Sequence, residues 1–479
     1  SQNEDLMDEN KNEEGDDDKK DKRKRDKEKD KEKVEKVIER IHDELEDQEC
    51  YHGQLLEEEV KGILPRRGDF ILRTQLNAGG SKDIYATINW NDEILNIQMK
   101  AKQGKGDGIL IYSFDNKTKG SAIKDLLQKH MCGVAVQYEK NAVMLLNPIA
   151  KQAWELRLES VEKVKKLGEG AFGEVHSGRL KLRMGKFINV AIKVIKKTAN
   201  NEKATTELQK EGALMRKFAH PNVVRTYGMV IERDTIMVVM ELVNGGGLND
   251  YVKKNTISME EKGNYALDIA NGLTYIHNLN CIHRDIACRN CLIDVSKKQA
   301  KVSDFGLTRQ TEVYKIQPNE RIPIRWIAPE VLKTYEYTRA ADIYAFGILV
   351  WEIFADGATP FGTLTNQQIK EGIQGTLRPE WPPGTPPDVI ETINNCWSGD
   401  PRARLQLSEV KKAFGKFKMV FSEAADKTPQ MGAPIDPIVG GGNGGKKKKE
   451  ESAKRKGANA SMKSRPKSKD KIAGKSTRK

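Results

Sequence analysis

The stretch that most constrains this chain is His283-Arg284-Asp285-Ile286-Ala287-Cys288-Arg289-Asn290, followed by Asp304-Phe305-Gly306 and Ala328-Pro329-Glu330. An aspartate at the Asp285 position can accept the proton of a hydroxyl. Asn290 can hold a divalent cation, to which Asp304 offers a carboxylate. Upstream, Gly168-Glu169-Gly170-Ala171-Phe172-Gly173-Glu174-Val175 has the form G-x-G-x-x-G-x-V. Glycines let a backbone approach phosphate oxygens and present N–H groups to them. Dinucleotide folds share the pattern, but they want a helix next and an acid about 20 residues on. Here strand-like sequence follows, and Lys193 stands at that distance. The phosphate implied is ATP's. Lys193 closes Val190-Ala191-Ile192-Lys193 and can hold phosphates from a strand if an acid orients it. Glu211, in the helical stretch Glu207–Phe218, is the candidate acid. One tripeptide arises by chance; five motifs in this order and spacing do not.

Charge separates the ends of the chain from its middle. Of 479 residues 37% are hydrophobic and 32% charged, with a net charge of +13. Residues 446–479 hold 15 Lys or Arg against 3 acids, and residues 1–33 hold 14 acids against 11 bases. The middle is therefore near neutral, which argues against a nucleic-acid-binding core, and no specific nucleic acid is expected as a partner. Residues 1–33 and 421–479 read as disordered charged segments. Six cysteines make no disulfide framework. The Cys288-Arg289-Asn290-Cys291 spacing lacks the second pair a zinc site needs. The longest strongly apolar run, Ile343 to Trp351, falls far short of the ~20 residues of a membrane span. With no apolar leader visible, the expectation is a soluble, cytoplasmic protein.

Between the ends, Val34, Val37, Ile38, Ile41 and Leu45 form one helical stripe over residues 34–49, expected to dock on the domain that follows. Residues 50–148 alternate helix and strand signals: helices at Glu57–Leu64 and Ala122–His130, and strands at Asp69–Thr74, Asp83–Asn89 and Ile94–Met99. Residues 149–161 read as a linker. Residues 162–420 open with strands (Val161–Gly168, Glu174–Gly178, Val190–Ile195) and turn helical later. The class is α+β.

With these motifs in place, residues 162–420 resemble a protein kinase catalytic domain, which implies a two-lobed fold. Asp285-Ile-Ala-Cys-Arg289-Asn290 is similar to the D-L-A-A-R-N of tyrosine kinases, and Pro323-Ile-Arg-Trp326-Ile-Ala-Pro-Glu330 to their P-I-K/R-W-x-A-P-E. The resemblance implies ATP and Mg²⁺ (or Mn²⁺) as cofactors and protein tyrosine as substrate. It makes Asp285 the base, Asn290 and Asp304 the metal holders, and Lys193 with Glu211 the phosphate-positioning pair; Arg289 steadies the transferring group. It places ATP against Leu167, Gly168, Gly170, Gly173, Val175 and Ala191 above, Met240, Glu241 and Val243 at the gatekeeper and hinge, and Leu292 below. It also implies that Arg404 pairs with Glu330, that Asp342 anchors the larger lobe, and that Tyr314 is an activating phosphosite paired with Arg284 and Arg309. A non-catalytic pseudokinase adaptor is the alternative, disfavoured because Lys193, Asp285 and Asp304 are all present.

Tyr51-His52-Gly53 and Gly68-Asp69-Phe70-Ile71-Leu72-Arg73 resemble the W-Y-H-G and G-D-F-L-V-R of SH2 domains. Arg73 is the implied phosphotyrosine fork. Cys50 stands where a Trp is usual, Glu57 where a second phosphate-binding Arg is frequent, and Ile94 or Leu95 where a His is common. SH2 followed by kinase, with the hinge Met-Glu-Leu-Val-Asn-Gly-Gly, is most similar to the Fes/Fer group. That group carries a long membrane-bending domain in front, for which the roughly 50 preceding residues are too few. The Lys-rich tail is expected to bring the protein to the anionic cytoplasmic face of the plasma membrane; Lys446–Lys449 with Lys454–Lys456 equally fits a nuclear import signal.

Overall fold

Alternating apolar residues over 69–103 build the first sheet. Its strands β1 (Asp69–Leu76), β2 (Lys82–Trp90), β3 (Glu93–Gln103) and β4 (Leu110–Ser113) are joined at the edge by β7 (Asn147–Pro148), in the order β4-β3-β2-β1-β7. A separate hairpin holds β5 (Val136–Tyr138) and β6 (Asn141–Val143). The β2–β3 turn is tight because Asn91 and Asp92 accept positive φ, 55° and 66°. The computed structural model describes residues 28–29, 31–76, 82–104, 109–170, 173–182, 185–196, 202–232, 235–318, 320 and 322–415. The expected basic tail and nearly all of the acidic N-terminal segment lie outside these residues.

Helix α1 spans residues 31–46, so it starts before the expected residue 34. Val37, Ile41 and Leu45 pack on the first core while Val34 and Ile38 face solvent, so only part of the apolar stripe docks. α2 (Glu57–Ile63) stops before Pro65, and α3 (Ile123–Met131) covers the sheet. The N-cap of α3, Ala122, has no side chain to offer, and Glu44 of α1 takes the Ile123 N–H instead at 3.1 Å.

The second sheet is antiparallel: β8 (Val161–Gly170), β9 (Gly173–Lys181), β10 (Phe187–Lys196), β11 (Thr226–Glu232) and β12 (Thr235–Glu241), in the order β11-β12-β10-β9-β8. α4 (Glu202–Met215) packs against it and begins before the expected Glu207. Below come α5 (Leu248–Lys254) and α6 (Met259–Asn278), whose Ser258 cap accepts from the Glu261 N–H at 3.1 Å. The helix Arg339–Phe354 is buried over almost its whole length and anchors this helical half. One contiguous core runs from β11 and β12 through α6 to Phe414.

The first domain sits on α4 and β11. Gly53, at φ 61°, lies so close to β11 that a Cβ there would come within 2.1 Å of the Ile231 carbonyl oxygen. Gln209 of α4 donates to the Gln54 carbonyl at 2.7 Å, and Arg216 pairs with Glu59 while stacking 3.3 Å from the Trp154 ring. His52 and Glu155, both buried, meet at 2.8 Å, and Lys151 bridges Glu46 and Glu232 at 3.2 and 3.4 Å. The segment expected as a linker is thus tied into both halves.

Candidate active site

Lys193 lies on β10 and Glu211 on α4, and the strand and helix pack so that the Lys193 ammonium sits 2.8 Å from both Glu211 oxygens. It also stands 3.7 Å from Asp304. Burial alone would lower the Lys193 pKa; the two carboxylates outweigh it and hold the ammonium above its usual range. Asp304 has φ 57°, a left-handed conformation, and its carboxylate faces Lys193 while Phe305, buried, packs against Phe218 and His283 at ring distances of 5.0 and 5.2 Å.

The segment from His283 to Asn290 is fixed from beneath. Asp342, fully buried, accepts from the backbone N–H groups of His283 and Arg284 at 2.8 and 2.9 Å and from His277 at 2.9 Å. Glu352 accepts from Cys288 N–H at 3.0 Å and the Trp326 indole at 2.8 Å. Burial pushes its carboxyl up to about 7. Asn290 donates to the Asp285 carbonyl at 2.7 Å, which leaves its amide oxygen as the group for a cation. Arg289 pairs with the Asp285 carboxylate and lies 4.1 Å over the Trp326 ring. Cys288 and Cys291 are buried free thiols whose pKa values burial raises, so they are unreactive packing residues.

Five-stranded and helical halves meet at Met240 and Glu241, the end of β12, and at Leu292, which bridges to Gly247. The Glu241 carboxylate is turned away and taken by the Arg225 N–H and Lys301, both at 2.8 Å, so Glu241 has only main chain to offer the cleft. Val243 is buried; Val175 and Ala191 are half-buried, and Leu167 is exposed. The space over Gly168 is open to 4 Å, which suits a phosphate-bearing ligand; Gly173 needs its φ of 125° and its missing Cβ because the Val194 carbonyl would lie 2.3 Å away. Gly170 closes β8 opposite Gly173 of β9, and residues 171–172 lie outside the described residues. Among the described residues no three His, Cys, Asp or Glu form a metal cluster. A divalent ion held by Asp304 and Asn290 would draw its other oxygens from nucleotide phosphates and water, as Mg²⁺ commonly does. Arg404 meets both Glu330 oxygens at 2.6 Å.

A family model for protein tyrosine and serine/threonine kinases matches residues 161–414. The chain is 33% identical over 380 residues to Fer-related kinase 1 of Caenorhabditis elegans, covering 78% of this chain and 95% of that one. It is 34% identical over 378 residues to tyrosine-protein kinase Fer of Homo sapiens, covering 77% of this chain and 44% of that one. To the tyrosine-protein kinase transforming protein Fps of avian sarcoma virus (strain PRCII) it is 34% identical over 366 residues, 74% of this chain and 65% of that one. The chain belongs to the Fer/Fps group of non-receptor tyrosine kinases. Members of this kinase family use ATP and a divalent metal. The chain spans under half the length of human Fer. No helix among the described residues is long and apolar enough to cross a membrane.

In this Fer/Fps-type chain the other candidate site lies in the first domain. Arg73 of β1 is 2% exposed and donates to Thr87 at 2.9 Å, to the Leu55 carbonyl at 3.2 Å and to Asn96 at 2.9 Å. Burial lowers its pKa and Glu57 raises it, so Glu57 is close enough for its charge to be felt. The third partner is Asn96, where sequence reasoning looked to Ile94 or Leu95. The strand alternation carries the missed signal: Leu95, Ile97 and Met99 face the core, which puts Asn96 on the Arg73 side. Thr87 and Asn96 are directly paired across β2 and β3.

Proposed function

We propose that this chain transfers the γ-phosphoryl group of ATP to protein tyrosine. The observation that carries the reading is Lys193 held between Glu211 and Asp304, with Asp285 and Asn290 fixed on the facing loop. ATP supplies the phosphoryl group, and Mg²⁺, with Mn²⁺ as a substitute, neutralises charge on its phosphates. Lys193, oriented by Glu211, positions the phosphates. Asp304 and the Asn290 amide oxygen would hold the metal. Asp285 accepts the tyrosine hydroxyl proton, and Arg289, already paired with it, stands ready to steady the transferred group. Trp326, stacked on Arg289 and hydrogen-bonded to Glu352, with Pro323 forms the platform for the substrate tyrosine.

Residues 50–148 act in this reading as an SH2 domain that docks phosphotyrosine-bearing proteins through Arg73. The basic tail draws the enzyme to anionic membrane at the cytoplasmic face, and phosphorylation of Tyr314 activates it. Purified protein with Mg-ATP and a random peptide library containing Tyr, Ser and Thr tests the central reading. Mass spectrometry is expected to find phosphotyrosine; phosphoserine as the main product, or no phosphopeptide, contradicts it.

A further inference from the structure

Arg284, next to the candidate base, is held by a residue no motif points to. It is 5% exposed, has φ 72°, and donates to the Leu307 carbonyl at 3.1 Å. Its guanidinium pairs with Glu320 and lies 3.7 Å over the Tyr314 ring. The other Glu320 oxygen accepts from the Tyr314 hydroxyl at 3.0 Å and from the Gln317 N–H at 3.1 Å. One carboxylate therefore ties together the catalytic-loop arginine, the loop tyrosine and the backbone between them. The strand Val313–Lys315 beside it pairs with Glu336–Thr338, so the loop is laid against the helical half in this arrangement. Arg309 comes within 5.6 Å of the same ring and reaches Glu207 of α4 at 3.5 Å. The buried Arg284 Nε has no hydrogen-bond partner among the described residues. A donor is thus left over for an acceptor richer than a carboxylate, such as a phosphate with three oxygens.

We propose that Glu320 is a positioning residue that stands in for the activating phosphate. In the unphosphorylated enzyme its carboxylate holds Arg284, and so orders the loop and the segment carrying Asp285. A phosphate on Tyr314 would place a second anion beside Glu320; Arg284 and Arg309 are the cations at hand, and the phosphate takes Arg284 from it. In that modification the Tyr314 oxygen bonds to the γ-phosphorus as the bond from phosphorus to ADP breaks. The hydroxyl proton passes to Asp285 of a second molecule. The inference rests on the tyrosine kinase reading and on Tyr314 as its phosphosite.

The test uses the full chain. Tyr314→Phe removes the phosphosite and keeps the Glu320–Arg284 pair; Tyr314→Phe/Glu320→Gln removes both. A charge-assisted bond lost from a positioning arginine is expected to slow peptide phosphorylation by about tenfold or more between these two. After ATP preincubation to full Tyr314 phosphorylation, Glu320→Gln and the wild type should agree within about twofold, because the phosphate has replaced the carboxylate. Glu320→Asp in the Tyr314→Phe background should restore part of the rate. Equal rates for Tyr314→Phe and the double variant overturn the proposal, as does a Glu320→Gln enzyme that stays slow once phosphorylated. Amide hydrogen exchange over Val313–Lys315 reads loop order without activity. It should be faster in the double variant, and unchanged exchange also overturns the proposal. Exchange that differs while no variant phosphorylates peptide would contradict the kinase reading and leave the carboxylate's ordering role standing.

Discussion

Lys193, half-buried in the cleft, and Arg73, buried in the first domain, are both cations suited to phosphate, and their surroundings are opposite. Lys193 lies among carboxylates, Glu211 at 2.8 Å and Asp304 at 3.7 Å, which outweigh the lowering effect of burial and hold its ammonium above its usual range. Arg73 is held by neutral oxygens of Thr87, Leu55 and Asn96, with the Glu57 carboxylate the strongest charge acting on it. A point charge already balanced by the protein positions a ligand that brings its own metal. A fork with little counter-charge gains most from a dianion. The first arrangement fits turnover, the second fits retention.

The largest effect should come from the balanced site. Lys193→Met leaves Glu211 buried without its cation and removes the phosphate contact. Peptide phosphorylation in steady-state assays should fall by at least about a hundredfold, since positioning and electrostatics carry most of phosphoryl transfer. If the rate drops only a few-fold, the cleft is not organised around this pair.

In the neutral-walled pocket, Arg73→Leu should abolish binding of a fluorescent phosphotyrosine peptide to the full chain, a loss of about 2–5 kcal/mol for a buried charge-assisted contact. Unchanged affinity would remove the contrast, because the first domain would then serve only as a platform on α4 and β11.

Glu352 is the mirror image of Arg73: a buried anion held by neutral donors, Cys288 N–H and the Trp326 indole. Its carboxyl is pushed up to about 7 from an ordinary 4.5. The native state therefore holds the proton more tightly than the unfolded chain. The stability this gives is complete below about 4.5 and is lost as pH rises through about 7, at up to ~1.4 kcal/mol per pH unit. Denaturant titrations should show that slope between these limits in the wild type and a flatter one in Glu352→Gln, whose amide oxygen can still accept both bonds. Identical slopes would mean that Glu352 is better compensated than its neutral partners imply.

The smallest change concerns Glu57, the strongest charge acting on Arg73. Glu57→Arg should tighten phosphotyrosine binding by about 1 kcal/mol or less, because Glu57 sits in the exposed first turn of α2 where solvent screens it. Weaker binding would place the ligand away from α2 and undo the comparison from the other side.

The cleft was more legible in the sequence than the pocket, for a physical reason. Lys193, Asp285, Asn290 and Asp304 lie on short segments whose chemistry demands fixed local spacing, so order along the chain stands for position in space. Glu211 was found as the acid on the helix that follows, although α4 starts earlier than its apolar pattern indicates. Asn96 was missed because its meeting with Arg73 depends on the register of β2 and β3, a long-range property; only the alternation of Leu95, Ile97 and Met99 hinted at it. Glu320 lies in a loop with no periodicity, and its pairing with Arg284 follows from the path of the loop between Gly306 and Ala328. The half-docked stripe of α1 shows the same limit: period gives a helix, and the neighbouring surface decides which part of its face is covered.

The central claim is that Asp285 takes the proton of a tyrosine hydroxyl in a cleft that Lys193 and Asp304 complete. Single-turnover transfer from radiolabelled Mg-ATP to a tyrosine peptide, with wild type and Asp285→Asn at matched nucleotide saturation, tests it most directly. The account predicts phosphotyrosine from the wild type and a rate at least about a hundredfold lower from Asp285→Asn, with nucleotide affinity retained. Transfer by Asp285→Asn at the wild-type rate would contradict it.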